Sequence, residues 1–231
     1  MHLMSDLSDE LKRQIEQIEL EFLSKFFPAD PQDGPDKYHL HVKAYCLLAH
    51  AAFEEFVEKI SIELMKGSIQ HWYDTRGIAK PLLALCLFYD ARLRIEESEE
   101  VEQDRHFDAI RTVLNEVKQA HSKAILDNHG FSLKYLRAIF TPVAVDVSLD
   151  LSLVDSLRTL ADARGSYAHT AAELAHFTDR KRATHPMTPE KAREIVGDCL
   201  KLCLKIADDA LKILEPVPAS SSKEKPAAGA R

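Results

Sequence analysis

The chain has 231 residues, of which 45% are hydrophobic and 29% are charged, with 7 glycines and 10 prolines. These proportions exclude a fibrous or disordered chain, and the most apolar run, Pro81 to Tyr89, is too short to cross a membrane. With 37 acidic and 30 basic residues the net charge is −7, so the molecule as a whole repels polyanions and any nucleic-acid site must be local.

The first 27 residues predict an amphipathic helix that packs on the rest of the protein. The chain starts with a polar, acidic segment and lacks the basic and apolar regions of a secretory signal, so we expect a soluble, cytoplasmic protein. Apolar residues then recur every three to four positions. These are Leu7, Leu11, Ile15, Ile18, Phe22 and Phe26. The segment 28–35, with three prolines and a glycine, predicts a loop.

The next segment predicts a long helix from about Asp36 to Lys66 that ends at Gly67. Its apolar residues cover more than one face, which is typical of a helix buried on several sides. They include Tyr45, Leu48, Ala49, Ala52, Phe53, Phe56, Val57, Ile60, Leu64 and Met65. We expect this helix to be the central element of a domain over residues 36–214.

The remaining segments also predict helices, and sustained alternation of apolar and polar residues is confined to Val143–Leu149. The sequence therefore predicts an all-α fold. Helix starts are expected at Ser132, at Ser148 or Asp150, and at Thr188-Pro189-Glu190. The predicted helices cover 80–93, 106–127, 133–140, a stretch from 148 or 150 toward 164, and about seven turns after 188. The segment 215–231 has almost no large apolar side chain and is predicted to be disordered.

No common catalytic or metal-binding motif is recognisable in the chain. The four cysteines lack the paired spacing of a zinc ribbon and are interpreted as reduced thiols. Cys199 and Cys203, four apart on one helix, fit a core position better than a metal site, and His39-x-His41 fits an exposed helix turn better. We therefore expect no metal and no cofactor.

One pattern in the sequence could support catalysis: an R-x4-H pair formed by Arg164 and His169, within ADARGSYAHT. Such a pair suits cleavage of a phosphodiester: a neutral imidazole can take a proton near pH 7, and a guanidinium can bind the phosphate through two hydrogen bonds. Residues five apart lie about 140° from each other around a regular helix. Convergence on one phosphate therefore needs a bend, which Gly165 could supply, or a second subunit.

This segment resembles the R-x4-6-H motif of the HEPN superfamily, the higher eukaryotes and prokaryotes nucleotide-binding domain. His41–Leu64 resembles the early long helix of its RiboL-PSP-HEPN branch. Asn128-His129-Gly130, a short helix, a loop and RGSYAHT resemble the second half of that branch. The resemblance covers about residues 36–214, although Gly165 replaces the polar residue that most often follows the motif arginine.

The resemblance implies an α-helical bundle that forms a homodimer with two motifs at a shared cleft. It further implies a metal-independent endoribonuclease of toxin-antitoxin or antiviral defence systems, with RNA as substrate and an antitoxin protein as a further partner. Arg164 would bind the scissile phosphate, and His169 would be the general base or acid. Other members of the superfamily bind without cutting, so a non-catalytic RNA-, nucleotide- or protein-binding module, or a helical scaffold, remains an alternative.

Several neighbouring residues could support this site. Ser166, Tyr167 and Thr170 carry hydroxyl groups beside the motif, and Tyr167 could stack on a base, although hydroxyls at helix ends more often bond to the backbone. One carboxylate of the long helix, Glu54 or its neighbours at 55 and 58, could pair with the motif arginine or remain a solvated surface group. The basic segment 180–193 could attract RNA or be a solvated connection.

Overall fold

The computed structural model describes residues 2–28, 30, 32–93, 103–147, 150–173 and 187–214, with side chains omitted at 2–3, 103–105 and 166–173. Within these ranges the protein has seven α-helices and no strand, which confirms the all-α prediction. The helices are α1 (His2–Phe22), α2 (Pro35–Thr75), α3 (Lys80–Phe88), α4 (Gln103–Leu126), α5 (Leu133–Phe140), α6 (Leu151–Glu173) and α7 (Pro189–Leu214). Among the described helices, none has a stretch apolar enough to span a membrane.

Helix α2 is the central element of the bundle, as the sequence predicted. It packs against α1, α6 and α7, and also contacts α3, α4 and α5. Because neighbours lie on several sides, its buried residues are distributed around the helix rather than along one stripe. Fully buried examples are Tyr45, Phe53, Ile60, Leu64 and Met65.

The predicted end of α2 at Gly67 was wrong. The helix continues to Thr75 and ends where Arg76 adopts a left-handed backbone with φ 61°. Its last turns bury Ile69 and Trp72 in the core. Burial of a large apolar side chain contributes about 1.5–3 kcal/mol, which outweighs the roughly 1 kcal/mol that a glycine costs inside a helix.

The predicted helix starts agree with the cap contacts of the structure. The Ser132 hydroxyl accepts a hydrogen bond from the Tyr135 backbone N–H at 3.3 Å and caps α5. Thr188 likewise accepts from the backbone N–H of Lys191 at 3.3 Å, at the start of α7. A carboxylate oxygen of Asp150 accepts from the backbone N–H of Ser152 at 3.0 Å, before α6.

The end of helix α3 also differs from the sequence prediction. Helix α3 ends at Phe88, five residues before the predicted end at Leu93. The alternating segment contains no strand in its described part, although Val143, Val145 and Val147 are all buried. Alternation there reflects packing of a non-helical connection onto the core rather than sheet formation.

The cysteines are free thiols, and Cys46, Cys199 and Cys203 are buried in the core. Burial raises the pKa of the Cys46 thiol to about 12, so the protonated form is favoured. Most of the acidic block at 96–104 and the predicted disordered segment 215–231 lie outside the described residues.

Candidate functional site

Helix α6 carries both residues of the R-x4-H pair. Its backbone is helical from Leu151 to Glu173, so the chain passes through Gly165 without leaving the helix. Regular helix geometry places the Cα atom of His169 about 7.5 Å further along the axis than that of Arg164, and about 140° around it. Arg164 is exposed, whereas the side chains of Ser166, Tyr167, His169 and Thr170 lie outside the described residues.

The charge of Arg164 acts on α2, one of the helices that α6 packs against. Burial lowers the pKa of His50 on α2, and the positive charge of Arg164 lowers this pKa further, while the carboxylate of Glu54 opposes the shift. An electrostatic effect on a nearly buried imidazole requires the guanidinium to be close to it. Arg164 and this part of α2 therefore belong to one region of the molecule.

His50 connects α2 to the loop between α4 and α5. Its side chain is 3% exposed, and its Nε2 atom accepts a hydrogen bond from the backbone N–H of Phe131 at 3.2 Å. The Nδ1 atom lies 3.7 Å from a carboxylate oxygen of Glu54. Because Nε2 is the acceptor, the neutral ring carries its proton on Nδ1, toward Glu54.

Two carboxylates one helical turn apart continue this region along α2. Glu54 accepts a hydrogen bond from the backbone N–H of Gly130, and Glu58 accepts one from the Tyr135 hydroxyl at 2.6 Å. Burial, together with this bond to a carboxylate, raises the pKa of Tyr135. Each carboxylate is thus held by a group from the α4–α5 loop or from α5.

His129 completes the group, which we call the Glu54 cluster: His50, Glu54, Glu58 and His129. One donor atom from each of Glu54, Glu58 and His129 lies within 4.8 Å of the others, and His129 is exposed. This spacing could accommodate a divalent cation. However, Gly130 and Tyr135 already engage both carboxylates, so we interpret Glu54 and Glu58 as hydrogen-bond acceptors rather than as metal ligands.

The sequence pattern Asn128-His129-Gly130 predicts a helix stop, and nothing in that pattern indicates that His129 is a site residue. It does stop α4, and Gly130 has φ 121°, a backbone conformation open to glycine. The same turn also brings His129 beside α2. No local pattern in the sequence predicts that contact, since the partners are far apart in the chain.

The structure places the other predicted carboxylates as follows. Among the contacts of the described residues, Glu54 pairs with His50 and Gly130 and forms no ion pair with Arg164. Glu55 lies at the surface, where it pairs with Lys59 at 2.7 Å. The bidentate pair between Glu54 and the motif arginine therefore does not occur in this arrangement.

The basic segment before α7 is described only in part. Residues 180–186 lie outside the described range. Lys191 pairs with Glu194 at 2.9 Å, and Arg193 pairs with Glu19 at 2.6 Å. The Arg193 guanidinium also lies 3.6 Å from the centre of the Phe27 ring. These two cations bind to the protein itself, which reduces the positive patch available to RNA.

The His39-x-His41 pair does not form a metal-binding group among the described residues. His41 Nε2 instead lies 2.8 Å from Lys25 Nζ, at the surface.

Comparison with known proteins gives one family. The sequence model of RiboL-PSP-HEPN matches residues 11–212. No curated protein and no solved structure matches the chain significantly.

Proposed function

Because the chain belongs to the RiboL-PSP-HEPN family, which supports a nuclease-like or RNA-binding module in general, we propose that it is a metal-independent endoribonuclease. The observation that carries this proposal is the exposed Arg164, whose positive charge acts on His50 of the Glu54 cluster and lowers the pKa of that histidine beyond the effect of burial. An exposed guanidinium can bind a phosphodiester, and imidazoles in the same region can move protons.

The proposed reaction uses the RNA itself as nucleophile. The 2′-oxygen attacks the adjacent phosphorus, and the bond from phosphorus to the 5′-oxygen breaks. Arg164 binds the phosphate and stabilises the charge that grows on it. His169 of one copy takes the proton of the 2′-hydroxyl as general base, and His169 of the second copy gives a proton to the leaving 5′-oxygen as general acid. The products are a 2′,3′-cyclic phosphate and a 5′-hydroxyl end.

We further propose a homodimer, supported by an exposed apolar stripe on α2. Leu40, Leu47 and Ala51 are exposed, and they recur at the spacing of one helix face. Continuation of the same spacing along α2 gives Glu54 and Glu58. A second copy packed on this stripe would cover it and bring two Glu54 clusters and two motifs together.

The biological setting belongs to the same proposal. An endoribonuclease of this type would act in toxin-antitoxin or antiviral defence, with RNA as substrate, an antitoxin protein as a further partner and the cytoplasm as its location. The helical order and the family match are the support for this setting.

One observation favours the alternative of a non-catalytic binding module. The carboxylates of Glu54 and Glu58 are half-buried on α2, the helix whose His50 responds to the charge of Arg164, and they repel a phosphate at short range. In that case the domain would bind RNA, a nucleotide or a protein without cutting.

Cleavage of labelled RNA in EDTA tests the proposal. We expect the wild type to cut, and Arg164→Ala and His169→Ala each to reduce the rate about 100-fold or more. Arg158→Ala is the matched control, since Arg158 is also exposed on α6, and it should cut like the wild type. RNA retention without cleavage, equal in wild type and His169→Ala, would instead establish the binding module.

A further inference from the structure

The segment from Asn128 to Val145 contains no aspartate or glutamate, in a chain that has 37 of them. Helix α5 lies within this segment, and it carries two cations, Lys134 and Arg137. Both side chains are exposed. The outer surface of α5 is therefore locally positive, although the protein as a whole is acidic.

Other helices neutralise surface cations with an acid three positions away. On α7, Lys201 pairs with Asp198 at 2.9 Å, and Lys212 pairs with Asp209 at 3.0 Å. Among the ion pairs of the described residues, none involves either cation of α5. Because α5 has no acid of its own, both of its charges are available to a ligand.

The position of Lys134 gives the helix no electrostatic stabilisation. It lies in the first turn of α5, which contains no acid, and the helix dipole disfavours a positive charge at that end. Arg137 is three positions further and is its neighbour on the same face. Ala138 is also exposed, and its small side chain leaves this face open. An anion placed there would meet two cations at once.

The opposite face of α5 is fixed to the bundle. Tyr135, Leu136 and Ile139 are buried, and the Tyr135 hydroxyl donates to Glu58 on α2 at 2.6 Å. The carboxylate of Glu58 is thus bound on the inner side of α5, away from the two cations. Helix α5 also contacts α6, the helix that carries the R-x4-H motif. The positive face is therefore presented by a rigid element that packs against the motif helix.

We propose that the exposed face of α5 binds the phosphate backbone of RNA through Lys134 and Arg137. This inference rests on the proposed function for the class of ligand, and it assigns α5 to binding rather than to catalysis. Contacts of cations with phosphates release counterions and do not distinguish bases. Binding at this face should therefore depend strongly on salt and little on sequence.

RNA binding can be measured separately from cutting. The probe is a labelled single-stranded oligonucleotide with 2′-O-methyl groups, which cannot be cut through attack by the 2′-oxygen, and fluorescence anisotropy gives the affinity at several salt concentrations. We expect the double variant Lys134→Gln/Arg137→Gln to bind about 10-fold or more weakly at low salt. The slope of log K against log salt should become shallower by about 1.4, since each phosphate contact with a single strand contributes about 0.7.

The matched control is Lys201→Gln/Lys212→Gln, which removes the same charge from exposed positions of α7. It should bind like the wild type, and circular dichroism should show both double variants folded. At saturating unmodified RNA, the α5 variant should still cut within about threefold of the wild-type rate, because it keeps Arg164 and His169.

Two results would overturn the inference and leave the proposed function standing, provided that the wild type cuts RNA. One is wild-type affinity in the α5 variant, and the other is an equal loss in the α5 and α7 variants, which would assign the effect to net charge. Wild-type protein that binds RNA without cutting it, with binding weakened only in the α5 variant, would support the inference and remove the endoribonuclease. Wild-type protein that binds no RNA would remove both.

Discussion

The carboxylate of Glu54 accepts a hydrogen bond from the backbone N–H of Gly130, although 76 positions separate the two residues in the chain. The neighbouring Phe131 N–H donates to His50, one turn earlier on α2. Two consecutive backbone groups of the α4–α5 loop are therefore held by two side chains of one helix. This attachment fixes where His129 lies.

Removal of the Glu54 carboxylate should detach this loop. Glu54→Ala leaves the Gly130 N–H without its acceptor, so we expect a loss of about 1–3 kcal/mol in the free energy of unfolding. Glu54→Gln keeps an acceptor oxygen and should lose less. The matched control is Glu55→Ala, an exposed neighbour, which should change stability by less than about 0.5 kcal/mol. Urea unfolding measures all three; equal losses in Glu54→Ala and Glu55→Ala would contradict the prediction.

Substitution by alanine should change the stability of the protein in opposite directions at two glycines. Gly67 lies within α2, and a Cβ atom there would meet Leu214 at 3.7 Å, an ordinary contact. Gly67→Ala should therefore stabilise the protein by about 0.5–1 kcal/mol. Gly130 has φ 121°, so Gly130→Ala should destabilise it by about 1–3 kcal/mol through backbone strain. Thermal unfolding compares the two, and stabilisation by Gly130→Ala would be the contrary result.

Buried His121 should make stability depend on pH. Its Nε2 atom lies 2.9 Å from the Ser61 hydroxyl and its Nδ1 atom 3.0 Å from the Tyr89 hydroxyl. Ser61 donates its own proton to the Ile139 carbonyl oxygen, so Nε2 carries the proton and Nδ1 accepts from Tyr89. Burial lowers the pKa of His121 from 6.5 to about 4.

The sign of the pH effect follows from this shift. Above pH 6.5 the histidine is neutral in both states, and its contribution is constant. As the pH falls from 6.5 to about 4, the unfolded chain binds a proton that the folded protein does not, so stability decreases by about 3 kcal/mol over this window. His121→Gln should lose this component of the pH dependence in urea unfolding, whereas exposed His71→Gln should keep it. Parallel curves for wild type and His121→Gln would contradict the assignment.

A charge on the α2 stripe should weaken the proposed homodimer. Leu47→Glu places a carboxylate where a second copy would pack, and burial of an unpaired charge is unfavourable. Light scattering at micromolar concentration should give a dimer mass for the wild type and a monomer mass for this variant. Leu20→Glu is the control, because Leu20 is exposed on α1. A monomeric wild type would exclude the composite site of two copies.

Most of the fold could be predicted from the sequence because it depends on local rules. Apolar spacing predicts an amphipathic or buried helix, and a residue such as Ser132 or Thr188 caps a helix through a neighbour three positions away. The all-α architecture and the central role of α2 follow from these patterns. The R-x4-H pair was visible for the same reason, since both residues lie on α6.

Contacts between segments far apart in the chain determined the features that local sequence patterns could not predict. The sequence treats Gly67 as a helix end, but burial of Trp72 against the rest of the bundle keeps α2 helical to Thr75. It also treats His129 as part of a stop signal, whereas packing of the α4–α5 loop on α2 places it beside Glu54 and Glu58. The sequence by itself thus determined the helices and the motif. Only the tertiary structure determined which groups surround Glu54, because that depends on the free energy of burial and hydrogen bonding between segments far apart in the chain.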